Sequence, residues 1–341
     1  MIENSNYSNK TITASCLKYK AMGRMESKEQ GRILFKHAAS GVAITADCQG
    51  NVIFNMKGNE LEYLTVVIDG VEHELCMNSC EDYDYVVAEG LNPGVHTIEI
   101  YRQGQQYTAT ILNYVNLNGE VLSPPKDKNL LIEFVGDSIT SGAGNIVVPP
   151  NTEITGHSTD ATKAYGRLTA KALDADWSNV SAGGGTLSST LRIGQVVLAE
   201  NYLLTHLQSN NWDFENARQP DIVVINLGTN DSSFSYRKDT DYNIYIENFE
   251  TELYAFTKKV IELNSKKDVK VVFAFGMMTE PTSWVTASYK KIVQKLAAEG
   301  ITVPYCQLPK NVSGGAGHPW RDGHAEASEV LSQFIKDNVL N

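Results

Sequence analysis

The sequence predicts an α/β protein: a three-layer α/β/α sandwich built on a parallel sheet, preceded by an antiparallel β-sandwich or jelly roll. Three observations lead there. Over the first third, short stretches of alternating apolar and polar residues recur between turn residues. At LSPPKDKN, residues 122–129, two prolines and three charges interrupt that pattern. Beyond it, wholly apolar runs alternate with segments of helical period.

In the first region the strands are VAITAD, NVIFNM, LTVVIDG, DYVVAEGL, HTIEIYR and YTATILNYV, with turns expected at Gly50, Gly58, Gly70, Gly90 and Gly94. Several short strands at this spacing make a sandwich. Pro124 and Pro125 stiffen the linker, which sets the domains at 1–123 and 124–341. In the second domain the strands are LLIEFV (130–135), DWSNVSA (176–182), DIVVINLG (221–228), VKVVFAFG (269–276) and TVPYCQL (302–308). Near-continuous apolar runs of this length belong to strands covered on both faces. Between them, Tyr245, Phe249, Leu253, Phe256 and Val260 fall on one helical face. In the last helix Ala327, Val330, Leu331, Phe334 and Ile335 do the same. Such alternation implies βαβ crossovers.

The formal net charge of −11 repels polyanions, so neither nucleic acid nor an anionic membrane is an expected partner; a neutral polysaccharide suits it better. No stretch has the apolar length to span a bilayer. The start, MIENSNYSNKTITAS, lacks an apolar h-region, so no signal peptide is expected in this chain. Five scattered cysteines argue against a disulfide framework. Cys76 and Cys80 form C-x-x-x-C, but no second Cys or His cluster completes a metal site, and the structural reading is preferred.

The predicted strand ends carry the chemistry. The first ends in Gly136–Asp137–Ser138 and the second in Ser181–Ala182–Gly183–Gly184–Gly185. The third ends in Gly228–Thr229–Asn230–Asp231, and beyond the fifth come His318 and His324. Parallel strands bring such ends to one rim. Ser138 capping a helix is the plain alternative. Serine is a weak nucleophile until a neighbouring histidine takes its proton, and acyl transfer also needs two or three fixed N–H donors for the oxyanion. The N–H groups of Ser138 and of a glycine, with the Asn230 amide, can supply them. The context is G-D-S-I-T rather than G-x-S-x-G, which sets the α/β-hydrolase elbow aside.

On GDSIT and GTND, matched closely, and on the segments near Gly183 and His318, matched more loosely, the second domain resembles the SGNH (GDSL-type) hydrolases. The order of domains, with INLGTND and GHPWRDGHAEAS, resembles carbohydrate esterase family 2 from about Gly31 to the C-terminus. That resemblance implies an SGNH-type fold and removal of O-acetyl groups from plant polysaccharides such as xylan or glucomannan. It also implies a secreted or extracellular role and no metal or organic cofactor. It assigns Ser138 as nucleophile, His318 as base, and Ser138, Gly183 and Asn230 as oxyanion donors. His318 is preferred because the family places its base directly before proline, as in His318–Pro319. His324, with Asp322 two residues earlier, is the alternative base. The family's orienting aspartate, three or two residues before the base, is replaced by Gly315 and Ala316, so the imidazole must find a backbone carbonyl or another carboxylate. Asp137 and Asp231 are expected to brace the loops. Trp284 and Trp320 are candidate sugar platforms near the rim. The alternatives are a carbohydrate-binding protein without catalysis, or a lipase or thioesterase. The latter needs an apolar groove, whereas the insert GAGNIVVPPNTEITGHSTDAT is largely polar and small.

Overall fold

The computed structural model describes residues 7–27, 31–59, 61–104, 109–147, 153, 157–188, 196–234 and 242–341. Part of the polar insert, residues 148–152 and 154–156, lies outside them, as do the first six residues. The chain divides into two compact units, Met1–Asp127 and Lys128–Asn341.

The first unit holds β1 (Asn9–Thr13), β2 (Lys20–Met22), β3 (Met25–Ser27), β4 (Ile33–Phe35), β5 (Gly41–Lys57), β6 (Glu62–Ile68), β7 (Val71–Met77), β8 (Tyr83–Arg102) and β9 (Thr110–Val121). They form one antiparallel sheet in the order β3-β4-β9-β5-β8-β6-β7, with β1 added to β9 and β2 to β5. Gly50, Gly90 and Gly94 do not separate strands, contrary to the sequence expectation. VAITAD and NVIFNM are two halves of β5, and DYVVAEGL and HTIEIYR two halves of β8. Around Gly50, at φ +74°, the register of β5 on β8 shifts, so this glycine is spent on a bulge that bends the strand. β7 escaped the sequence reading because it is an edge strand, paired only to β6. Its solvent face, carrying Glu72 and Glu74, hides the alternation.

This sheet closes over Phe35, Val42, Ile44, Val52, Phe54, Leu64, Ile98, Leu112 and Val115, all essentially inaccessible to solvent. A buried ion pair sits among its polar neighbours. The Arg102 Nε lies 2.6 Å from Glu62 Oε1, Arg102 Nη1 donates to the Lys36 carbonyl, and the Thr110 hydroxyl donates to Glu62. Removing one member of such a pair strands the other charge.

The second unit holds β10 (Leu130–Gly136), α1 (Tyr165–Ala172), β11 (Ala175–Ser181), α2 (Leu198–Asn201), β12 (Ile222–Asn226), α3 (Thr229–Phe234), α4 (Tyr242–Leu263), β13 (Lys270–Phe275), α5 (Trp284–Ala298), β14 (Tyr305–Gln307) and α6 (Arg321–Asn338). All five predicted strands are present. They form a parallel sheet in the order β11-β10-β12-β13-β14. Alternate residues face two helical layers. Val135, Val223, Ile225, Phe273 and Phe275 pack with Phe249, Leu253 and Val260 of α4 and with Tyr289 and Ile292 of α5. On the other face Phe134 meets Tyr165 of α1 edge-on and packs closely over Gly166, where a Cβ would come within 3.0 Å of its ring. In α6, Ala327, Leu331 and Ile335 are buried as expected, while Val330 is on the solvent side.

The chain leaves β10 toward β11 on one side and later returns to β12 on the other. The crevice between β10 and β12 is therefore the topological switch point, where open α/β sheets place their ligands. Arg102→Met, which leaves Glu62 buried without its partner, is expected to cost about 3–5 kcal/mol. Urea denaturation of the full chain measures it.

Candidate active site

The sheet register brings three of the four predicted segments together. Gly136 pairs with Ser181 of β11 and with Asn226 of β12, so two residues further on Ser138 is level with Gly183 and Gly228. The turn beyond β10 tolerates only glycine at 136, where a Cβ would lie 2.0 Å from the Thr140 hydroxyl and 2.9 Å from the Asn226 carbonyl. Asp137 Oδ1 accepts from the Ile139 N–H at 2.9 Å, and the Asp137 and Ser138 carbonyls accept from Ser141 and Ala143. These bonds hold Ser138 half-exposed on a tight turn. Its own N–H has no partner among the described residues.

His318 comes from the loop between β14 and α6, and its Nε2 stands 2.8 Å from Ser138 Oγ. The other ring nitrogen, Nδ1, is 3.0 Å from the Gly315 carbonyl. A carbonyl only accepts, so the proton of the neutral ring sits on Nδ1 and Nε2 faces the serine as an acceptor. The orienting group is thus a backbone carbonyl at the first of the two positions where an aspartate was missing. Burial holds the His318 pKa below 6.5, an effect opposed by the Gly315 and Ala316 carbonyls.

His324 is elsewhere. It is fully buried on α6, stacked parallel to Tyr165, and its Nδ1 accepts from the Tyr165 N–H at 3.1 Å. Burial drives its pKa down to about 3. Asp322 does not serve it: its Oδ1 accepts from Asn311 Nδ2 and from the Gly323 N–H. The alternative base and its carboxylate are a structural histidine and a helix-end contact.

Asn230 stands at the start of α3, beyond β12. Its Nδ2 donates to the Gly185 carbonyl at 2.9 Å and approaches Asp137 Oδ2 at 3.4 Å. Gly185 closes the turn after β11 by donating to the Ala182 carbonyl. A Cβ there would lie 2.0 Å from Leu198. Asp231 accepts from the N–H groups of Leu187 and Ser188 at 3.1 and 2.9 Å, which ties the segment after the glycine run to α3. Both aspartates are buried. Desolvation, added to by their mutual repulsion, raises Asp137 to about 7, and desolvation raises Asp231 to about 6. Bracing, as expected from the sequence, is what their contacts describe; the partners of Asp231 were not readable there, because they are backbone N–H groups 43 and 44 residues away.

The two tryptophans differ. Trp284 opens α5 half-buried, its ring edge-on against Phe249 at 5.3 Å, engaged with the core. Trp320 follows His318 by two residues; the Arg321 guanidinium covers its ring at 4.7 Å and its indole nitrogen is buried. The Cys76 and Cys80 thiols are free and exposed, and no metal-binding cluster occurs among the described residues.

Residues 134–332 match the GDSL-like lipase/acylhydrolase family, and residues 21–125 match the carbohydrate esterase 2 N-terminal family. An acetylxylan esterase/glucomannan deacetylase from Cellvibrio japonicus is 35% identical over 167 residues, covering 44% of this chain and 43% of that protein. A cellulase/esterase from Acetivibrio thermocellus is 30% identical over 173 residues, 49% of this chain and 21% of that protein. The chain thus spans less than half the length of these two curated relatives. Among solved structures, a family two carbohydrate esterase from Clostridium thermocellum in complex with cellohexaose superposes with a TM-score of 0.84 at 21% identity, covering 94% of this chain and 99% of that one. One from Cellvibrio japonicus gives 0.84 at 22%, covering 97% and 98%. With more than half its length matched, the chain belongs to the GDSL-like lipase/acylhydrolase family.

Proposed function

We propose that the chain is a serine esterase that removes O-acetyl groups from plant polysaccharides such as xylan or glucomannan. The carrying observation is the 2.8 Å contact between Ser138 Oγ and His318 Nε2, with Nδ1 engaged by the Gly315 carbonyl. The esterase names of its relatives support the substrate class. The match of residues 21–125 supports reading the first unit as the jelly-roll domain of such an enzyme, over residues 1–123, with the catalytic domain at 124–341.

In the reaction the Ser138 hydroxyl proton passes to His318 Nε2 while Oγ attacks the acetyl carbonyl carbon. Negative charge develops on the carbonyl oxygen. The N–H groups of Ser138 and Gly183 and the Asn230 amide are the donors proposed to meet it, each contributing about 3 kcal/mol. For Asn230 this means turning toward the oxyanion the N–H that otherwise leans 3.4 Å away on Asp137. His318 then gives its Nε2 proton to the departing sugar oxygen, leaving an acetyl ester on Ser138. Water, deprotonated by the same nitrogen, attacks that ester and releases acetate. No carboxylate contacts His318 in this scheme, so the acting pair is a dyad. Trp320, beside the base, is the aromatic we place next to the sugar.

Ser138→Ala is expected to abolish release of p-nitrophenol from p-nitrophenyl acetate while circular dichroism stays unchanged; full retention of rate would sink the nucleophile assignment. Because burial keeps His318 neutral below the ordinary imidazole range, the acid limb of kcat/KM is expected to fall with a midpoint under 6.5. Imidazole NMR titration should find His318 in that range and His324 near about 3. An acetyl ester should be turned over faster than the octanoyl ester. The reverse order would favour a lipase, and no release above buffer a binding protein.

A further inference from the structure

Among the described residues no carboxylate contacts the base, so its tautomer depends on where one backbone carbonyl, that of Gly315, is held. What holds it is the loop that leaves the nucleophile. The Gly315 N–H donates to the Gly144 carbonyl at 2.9 Å. Gly144 lies at φ +70°, and a Cβ there would come within 2.6 Å of the Gly315 oxygen, 2.9 Å of its nitrogen and 3.0 Å of its Cα. On the other side a Cβ at Gly314 would meet the Gly144 carbonyl at 2.6 Å. Two backbones therefore touch directly, with no side chain between them. The next residue extends the contact: the Asn145 carbonyl accepts from the Arg321 N–H at 3.0 Å, just past His318. Asn145 is itself immobilised. Its side chain is fully buried, donating to the Asp160 carbonyl at 2.7 Å and accepting from the Asp160 N–H at 2.9 Å. Ala316, between Gly315 and His318, sits in the left-handed region at φ +50°, ψ +33°. An L-residue keeps that conformation only when its surroundings impose it.

We propose that Gly144 and Asn145 are positioning residues for the base: Gly144 holds the backbone of Gly315 directly, Asn145 anchors that loop to Asp160 and to the Arg321 N–H beyond the base, and through the Gly315 carbonyl they fix the proton of His318 on Nδ1, the part an aspartate plays where one is present. This rests on the reading of Ser138 and His318 as nucleophile and base. The nucleophile loop thereby sets the geometry of its own proton acceptor, and both residues act through the Gly315 carbonyl.

Gly144→Ala pushes Gly315 away. Without the carbonyl, the ring is free to hold its proton on Nε2, where it cannot accept from Ser138. Since a displacement near 1 Å costs about a hundredfold in rate, kcat on p-nitrophenyl acetate should fall about ten- to a hundredfold with KM little changed. In parallel, ¹⁵N NMR of the imidazoles should find His318 as the Nδ1–H tautomer in the wild type and largely as Nε2–H in the variant. A loss of general packing would not produce that change. Should Gly144→Ala fail to fold, Asn145→Asp decides by the same two measurements, because a carboxylate keeps the size but cannot donate to the Asp160 carbonyl. Wild-type kcat in a folded variant overturns the proposal, and so does a reduced kcat with Nδ1–H retained. Absence of ester hydrolysis in the wild type would instead defeat the esterase reading, leaving the tautomer comparison to judge the clamp.

Discussion

Two hydrogen bonds to one imidazole organise the second unit of this protein. His318 must face Ser138 with an unprotonated nitrogen, and it does so only because its other nitrogen is committed to the Gly315 carbonyl. A carbonyl is a weaker partner than a carboxylate, carrying no full charge to stabilise an imidazolium. Geometry has to make up for it. The loops on either side of His318 accordingly meet backbone to backbone at Gly144, Gly314 and Gly315, where no side chain intervenes to give way.

Beneath the rim, the fold accepts an electrostatic cost to fix the loops around Asn230. Asp137 and Asp231 are both inaccessible, and desolvation lifts both toward neutrality. Each is retained by backbone N–H groups it accepts from: Ile139 for the first, Leu187 and Ser188 for the second. Between them stands Asn230, whose amide reaches Gly185 on one side and Asp137 on the other. Loops from β10, β11 and β12 are in this way cross-linked by polar groups as well as by apolar packing.

Much of the architecture was legible because the physics that makes it is local. Apart from Glu133, Asn226 and Lys270, the runs Leu130–Val135, Ile222–Asn226 and Lys270–Phe275 are apolar and rich in β-branched residues, the composition of strands covered on both faces. Ser138 and Asn230 were readable because parallel strands all deliver their ends to one rim. The misreadings share a cause. Gly50, Gly90 and Gly94 have the composition of turns, yet β5 and β8 run through them with bulged or left-handed backbone, and composition does not distinguish a bend from a reversal. Trp284 has the chemistry of a sugar platform, but its ring is turned into the core against Phe249.

By itself, the sequence determined the alternation of strands and helices, the segments that reach the rim, and the absence of an aspartate before His318. Tertiary structure decided which histidine meets Ser138 and what the base leans on. His318 and His324 are six residues apart, and both sit in plausible motifs. One is half-exposed beside a hydroxyl, the other sealed against Tyr165. The acceptor of Nδ1 is a main-chain carbonyl, a group every residue carries. Its place is set by a loop more than 160 residues earlier in the chain. Side-chain identity records neither, since both depend on how distant backbones approach.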